Sequence, residues 1–120
     1  MNHILIAEDE PRIAALLEKG LRKYGFETTI ASDGSEAIEM ANAGTFNLML
    51  LDLGLPVKDG WEVLKSLRHD GKEFPILIVS ARKDDEEIAT GFQAGANDYI
   101  TKPFRLGDLV ERVRGQLSNK

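Results

Sequence analysis

The sequence predicts an α/β domain built on a parallel sheet. Three observations carry that expectation. Ile4–Ala7, Leu48–Leu51 and Ile76–Val79 are continuous apolar runs without polar alternation, as strands covered on both faces require. Segments of helical period separate them, and the two kinds of segment alternate along the chain.

Ile4-Leu5-Ile6-Ala7 reads as the first strand and stops at Glu8-Asp9. Pro11 suits the first turn of a helix whose stripe is Ile13, Leu16, Leu17 and Leu21. Thr28-Thr29-Ile30-Ala31 is a weaker strand, ending at Ser32-Asp33. Ala37, Ile38 and Ala41 mark the second helix, with Gly44 at its C-terminal cap. Leu48-Met49-Leu50-Leu51 runs into Asp52, and Trp61, Leu64 and Leu67 give a third helix closed by Gly71. Ile76-Leu77-Ile78-Val79 ends at Ser80. Ile88, Phe92 and Gln93 mark a fourth helix, closed by Gly95. Asp98-Tyr99-Ile100-Thr101 is a short fifth strand, and Leu109, Val110, Val113 and Leu117 stripe the fifth helix. No linker, repeat or low-complexity stretch interrupts the pattern, so one domain is expected across residues 1–120.

Composition narrows the function. A hydrophobic fraction of 42% with 29% charged residues belongs to a globular chain. With no cysteine there are no disulfides, thiolate metal sites or cysteine nucleophile. A formal net charge of −5 argues against direct nucleic-acid binding by this domain. No apolar run approaches the ~20 residues of a membrane span. The start, Met1-Asn2-His3 before Ile4, lacks the basic region and apolar core of a signal peptide, so a cytoplasmic location is expected.

In an open parallel sheet, ligands bind beyond the carboxyl ends of the strands. That rule collects Glu8, Asp9, Asp52, Ser80 and Lys102 on one edge. Three converging carboxylates repel one another, so cations must sit among them. Hard oxygen donors of this kind suit Mg²⁺, and Lys102 adds a second positive charge. Each residue also has a plainer use. Asp9 could cap the helix at Pro11, Ser80 could cap the next helix, and Asp52 could open a turn. Glu8 and Lys102 could simply face solvent. His3 and His69 have no partner at ligand spacing, and Asp84-Asp85-Glu86-Glu87 reads as a solvated first helical turn. It is the joint placement at strand ends that favours a site.

Glu8-Asp9, Leu51-Asp52-Leu53-Gly54-Leu55-Pro56, Asp59-Gly60, Ser80-Ala81-Arg82, Gly95-Ala96 and Asp98-Tyr99-Ile100-Thr101-Lys102-Pro103-Phe104 occur in that order. In these motifs the whole chain resembles the receiver domains of two-component response regulators, the CheY-like phosphoacceptors. The resemblance is strongest to receivers of winged-helix transcription regulators. It implies a flavodoxin-like, doubly wound sheet in the order 2-1-3-4-5 with five flanking helices. It implies that Asp52 accepts a phosphoryl group from a sensor histidine kinase or phosphotransfer protein. Asp9, Asp52 and the backbone carbonyl of Gly54 would ligate Mg²⁺, with Glu8 acting through water. Ser80, the Ala81 backbone and Lys102 would hold the phosphoryl oxygens, and the Lys102-Pro103 peptide would be cis. Such a domain is not an enzyme acting on a separate substrate; it undergoes self-phosphotransfer and slow autodephosphorylation.

The resemblance also implies a switch in which Ser80 moves toward the phosphoryl group and Tyr99 turns from an exposed to an inward rotamer. A homodimer on phosphorylation would use the face of the fourth helix, fifth strand and fifth helix, with Glu87, Asp98, Glu111, Arg112 and Arg114 available for charge pairs. Two features depart from the winged-helix relatives: Asn97 stands where they usually carry an acid, and the fourth helix lacks their basic residue. A free-standing regulator acting by protein contact is the alternative output. Other classes fit less well. A flavin carrier needs a phosphate-binding loop where Glu8-Asp9-Glu10 stands, no G-x-G-x-x-G follows a strand, and an aspartate-nucleophile phosphatase would carry an acid at Gly54.

Overall fold

The computed structural model describes residues 2–118; Met1, Asn119 and Lys120, the ends of the expected domain, lie outside the described residues. Five strands and five helices alternate: β1 (His3–Ala7), α1 (Pro11–Lys23), β2 (Glu27–Ala31), α2 (Gly34–Ala43), β3 (Leu48–Asp52), α3 (Gly60–His69), β4 (Ile76–Ser80), α4 (Asp85–Gln93), β5 (Asp98–Thr101) and α5 (Leu106–Ser118). The strands form one parallel sheet in the order β2-β1-β3-β4-β5, as the resemblance implied.

The apolar runs divide between two cores because successive side chains point to opposite faces of a strand. Leu5, Ala7, Met49, Leu51, Ile76, Ile78 and Tyr99 face one way, where Ala37, Ala41, Val63, Leu64 and Leu67 cover them. Ile4, Ile6, Leu48, Leu50, Leu77, Val79 and Ile100 face the other, under Leu17, Leu21, Leu109, Val110 and Val113. Thus α2 and α3 lie over one face, α1 and α5 over the other. β3 is central and buried along its length, which carries Asp52 to the middle of the sheet edge.

Two helical stripes differ from expectation. Leu16 is half exposed, and the buried face of α1 is Ala14, Leu17, Gly20 and Leu21. Phe92 is also half exposed, and the residue α4 buries is Gly91. There the helix approaches so closely that a Cβ on Gly91 would lie 3.0 Å from Ile78 Cδ1 and 3.4 Å from the Tyr99 ring. Apolar periodicity cannot reveal a face whose key position is the absence of a side chain. The plainer capping roles also fail: Glu10 is the N-cap residue of α1 and Asp84 that of α4, so Asp9 and Ser80 are free for other work.

Candidate functional site

The site assembles where β1, β3, β4 and β5 end. Parallel register brings the ends level: Ala7 pairs with Leu51, Asp52 with Val79, and Ser80 with Thr101. Asp52 and Ser80 end their strands, and Glu8 and Lys102 directly follow theirs, so all four fall at the same edge of the sheet.

Glu8, Asp9 and Asp52 each offer a carboxylate oxygen within 4.8 Å of the others. Glu8 and Asp52 are buried, while Asp9 stands at the rim. Burying two carboxylates is costly without cations and donors, and both are supplied. Lys102 Nζ lies 3.2 Å from Glu8 Oε1 and 3.6 Å from Asp52 Oδ1. The Glu10 N–H donates to Glu8 Oε2 at 3.2 Å, and the Gly54 N–H donates to Asp52 Oδ1 at 3.2 Å. Burial still raises the Glu8 carboxyl above the usual carboxylate range. The Glu10 N–H and Lys102 pull it down, and the Asp52 charge adds to the rise. One ammonium among three carboxylates leaves the cluster electron-rich. Its oxygen-only donors match a hard divalent cation of the Mg²⁺ kind.

Ser80 closes the site on the β4 side. It is buried, and its Oγ accepts from the Arg82 N–H at 3.1 Å. Ala81 follows as an exposed residue at the mouth. The Lys102 N–H donates to the Ser80 carbonyl at 2.8 Å, and the Lys102-Pro103 peptide is cis, as expected. Gly54 is exposed beside Asp52; a Cβ there would be 3.9 Å from both carboxylate oxygens. Glu8, Asp9, Asp52, Ser80 and Lys102 therefore lie at this one edge, whereas His3 and His69 do not. His3 instead bonds Thr29 Oγ1 at 2.7 Å and leans on Phe46.

Tyr99 occupies the inward of the two rotamers expected for the switch. Its ring is inward, only 6% exposed, and its hydroxyl donates to the Arg82 carbonyl at 2.7 Å. The ring lies under α4, where a Cβ on Gly91 would come within 3.4 Å of it. Burial pushes the Tyr99 phenol up, with Ser80 and Arg82 opposing and Glu87 and Asp84 reinforcing. Four of the five charged residues expected at a dimer face, Glu87, Asp98, Arg112 and Arg114, already have partners within the chain. Arg112 meets Asp98 at 3.0 Å, Glu87 meets Arg82 at 3.6 Å, and Arg114 lies 4.7 Å above the Tyr24 ring.

Sequence reasoning assigned no role to Arg82 or Arg68. Arg68 donates to the carbonyls of Gly95, Lys72 and Phe74 and to Asn97 Oδ1, all within 3.0 Å. Asn97 Oδ1 also accepts from the Ile76 N–H at 2.9 Å, so a neutral amide does the bridging where an acid was the usual residue. An arginine on a helix's last turn gives no sequence signal for such a role, since its acceptors lie in loops.

Comparison with known proteins agrees with this geometry. The family model described as the response regulator receiver domain matches residues 4–114. The chain is 42% identical over 115 residues to the uncharacterized transcriptional regulatory protein YkoG of Bacillus subtilis (strain 168), covering 96% of this chain and 50% of that protein. It is 37% identical to the transcriptional regulatory protein PcoR of Escherichia coli, over 95% of this chain and 50% of that one. The chain thus spans about half the length of these curated relatives. Among solved structures, the Francisella response regulator 1452 receiver domain superposes with a TM-score of 0.96 at 32% identity, covering 98% of each chain. The response regulator TrrA of Thermotoga maritima, solved in complex with Mg²⁺ and BeF, gives 0.88 at 32% identity, covering 98% of this chain and 100% of that one.

Proposed function

The chain belongs to the response regulator receiver family, and on that footing we propose that Asp52 accepts a phosphoryl group from a phosphohistidine of a sensor kinase or phosphotransfer protein. The observation that carries this reading is the position of Asp52: buried at the end of the central strand, beside two further carboxylates and 3.6 Å from an ammonium. A carboxylate oxygen attacks phosphorus, the phosphorus–nitrogen bond breaks, and the imidazole nitrogen keeps the electron pair. β3 holds the nucleophile in one orientation, which replaces a search through many. Lys102 stands close enough to follow charge from the carboxylate pair onto the transferred group. Ser80 Oγ can turn from its bond with the Arg82 N–H and donate its proton to a phosphoryl oxygen.

Asp9, Asp52 and the Gly54 carbonyl would hold Mg²⁺ directly, and Glu8 through water. The ion would supply charge neutralisation of the phosphoryl oxygens. The chain is modified once per cycle and reverts by slow autodephosphorylation, so it is a switch and not an enzyme acting on a separate substrate. We take residues 1–120 as one domain working in the cytoplasm. The output is control of transcription through a further segment, in keeping with the relatives' description as transcriptional regulators of twice this length. That reading is favoured over a free-standing regulator. A phosphorylation-dependent homodimer through α4, β5 and α5 would have to exchange the Asp98–Arg112 pair between protomers.

Incubation with Mg²⁺ and acetyl phosphate tests the assignment by intact-protein mass. Wild type gains one phosphoryl group and Asp52→Asn gains none. Full modification of Asp52→Asn would overturn the reading.

A further inference from the structure

The tightest backbone approach at any described glycine joins the start of α2 to the loop between β3 and α3. Gly34 is the first residue of α2, after Asp33, whose carboxylate caps the helix by accepting from the Glu36 N–H at 2.8 Å. The Gly34 N–H, left free by the helix itself, donates to the Pro56 carbonyl at 3.1 Å. The same carbonyl accepts from the Lys58 N–H at 2.8 Å, which bends the chain through a γ-turn centred on Val57. Val57 has φ 70°, a conformation that β-branched residues rarely adopt. Its side chain is 75% exposed, so packing does little to offset the strain.

A Cβ on Gly34 would sit 1.8 Å from the Lys58 carbonyl oxygen and 2.7 Å from its carbon. The obstacle is backbone and cannot rotate aside as a side chain would. At its other end the loop is anchored by buried Leu53 and Leu55 and by the Gly60 N–H, which donates to the Leu53 carbonyl at 2.9 Å. Gly54 lies between these anchors, directly after Asp52 and Leu53.

We propose that Gly34 is a positioning residue for the Asp52 site: its bare Cα lets α2 seat the β3–α3 loop where Asp52 and the Gly54 carbonyl are presented together. Gly34 touches neither the carboxylates nor the phosphoryl group; it acts through Pro56 and Lys58. A side chain at 34 drives Lys58 away and breaks the bond to Pro56. Val57 then relaxes to a negative φ and the loop leaves its position. The inference rests on the Mg²⁺ reading above.

Mg²⁺ titration of the 1–120 chain, by calorimetry and by amide spectra, tests it. In wild type the Gly34 amide should shift with the same midpoint as Gly54, although Gly34 carries no ligand atom. Gly34→Ala should lose roughly tenfold or more in Mg²⁺ affinity, the usual scale for residues that orient metal ligands. A purely structural glycine would lower thermal stability and leave Mg²⁺ affinity, measured well below the melting temperature, unchanged. A silent Gly34 amide in Mg²⁺-binding wild type overturns the proposal even if the variant does not fold. So does a folded Gly34→Ala of wild-type affinity. Wild type that binds no Mg²⁺ overturns the metal reading itself.

Discussion

Ser80 and Tyr99 are joined through the two backbone groups of one residue: the Arg82 N–H donates to Ser80 Oγ at 3.1 Å, and the Arg82 carbonyl accepts from the Tyr99 hydroxyl at 2.7 Å. Any movement of the serine hydroxyl toward a phosphoryl group withdraws the acceptor from Arg82. The loop before α4 is then free to shift, and the tyrosine hydroxyl is bonded to that same loop. A phosphoryl group at Asp52 would favour the shifted arrangement only by as much as its contacts differ between the two.

This coupling predicts the behaviour of Ser80→Ala. Beryllofluoride, which mimics an aspartyl phosphate, should still bind at Asp52. Amide shifts across residues 81–95 and 97–102, large in wild type, should shrink to those nearest Asp52. Equal shifts in both proteins would mean that the loop responds without the serine.

Alkaline stability reports on Tyr99. Its phenol lies above the usual value of 10 because it is buried, so the folded state holds this proton more tightly than the unfolded chain does. The resulting stabilisation is complete below pH 10 and is lost as pH climbs through the raised value. Melting temperature should therefore fall more steeply above pH 10 in wild type than in Tyr99→Phe. At neutral pH the variant should lose about 1 kcal/mol with its hydrogen bond. Parallel curves above pH 10 would place the alkaline loss on other groups.

Asp9→Asn separates repulsion from ligation. Removing one of three clustered carboxylates relieves about 1 kcal/mol and should raise the metal-free melting temperature by about 4 °C. Mg²⁺ affinity, measured by calorimetry, should fall by about tenfold or more. Undiminished affinity would count against Asp9 as a ligand.

Arg68→Lys tests the clamp at the opposite edge of the sheet. A lysine cannot reach the four acceptors that the guanidinium fork joins. The cost should be about 2 kcal/mol, read as a lower guanidinium midpoint at unchanged slope. An unchanged midpoint would show that water replaces the fork without loss.

Much of the fold was legible because its causes are local. Apolar runs without alternation belong to a parallel sheet, so β1, β3 and β4 were found with their closing residues, and Gly71 and Gly95 mark the ends of α3 and α4 with positive φ. The stripes of α1 and α4 were misread at Leu16 and Phe92. Hydrophobic period counts side chains, and these helices approach the core partly through Gly20 and Gly91.

By itself the sequence determined the order of elements, the residues that end the strands, and hence the gathering of Glu8, Asp9, Asp52, Ser80 and Lys102 at one edge. Only the tertiary structure decided which atoms share a charge. It buries Glu8, sets Lys102 0.4 Å nearer to Glu8 than to Asp52 (3.2 against 3.6 Å), turns Tyr99 inward, and presses Gly34 against Lys58. The reason is range. Element type follows from neighbours a few residues apart, whereas these contacts join segments from different parts of the chain, at distances that only the packed helices and sheet fix.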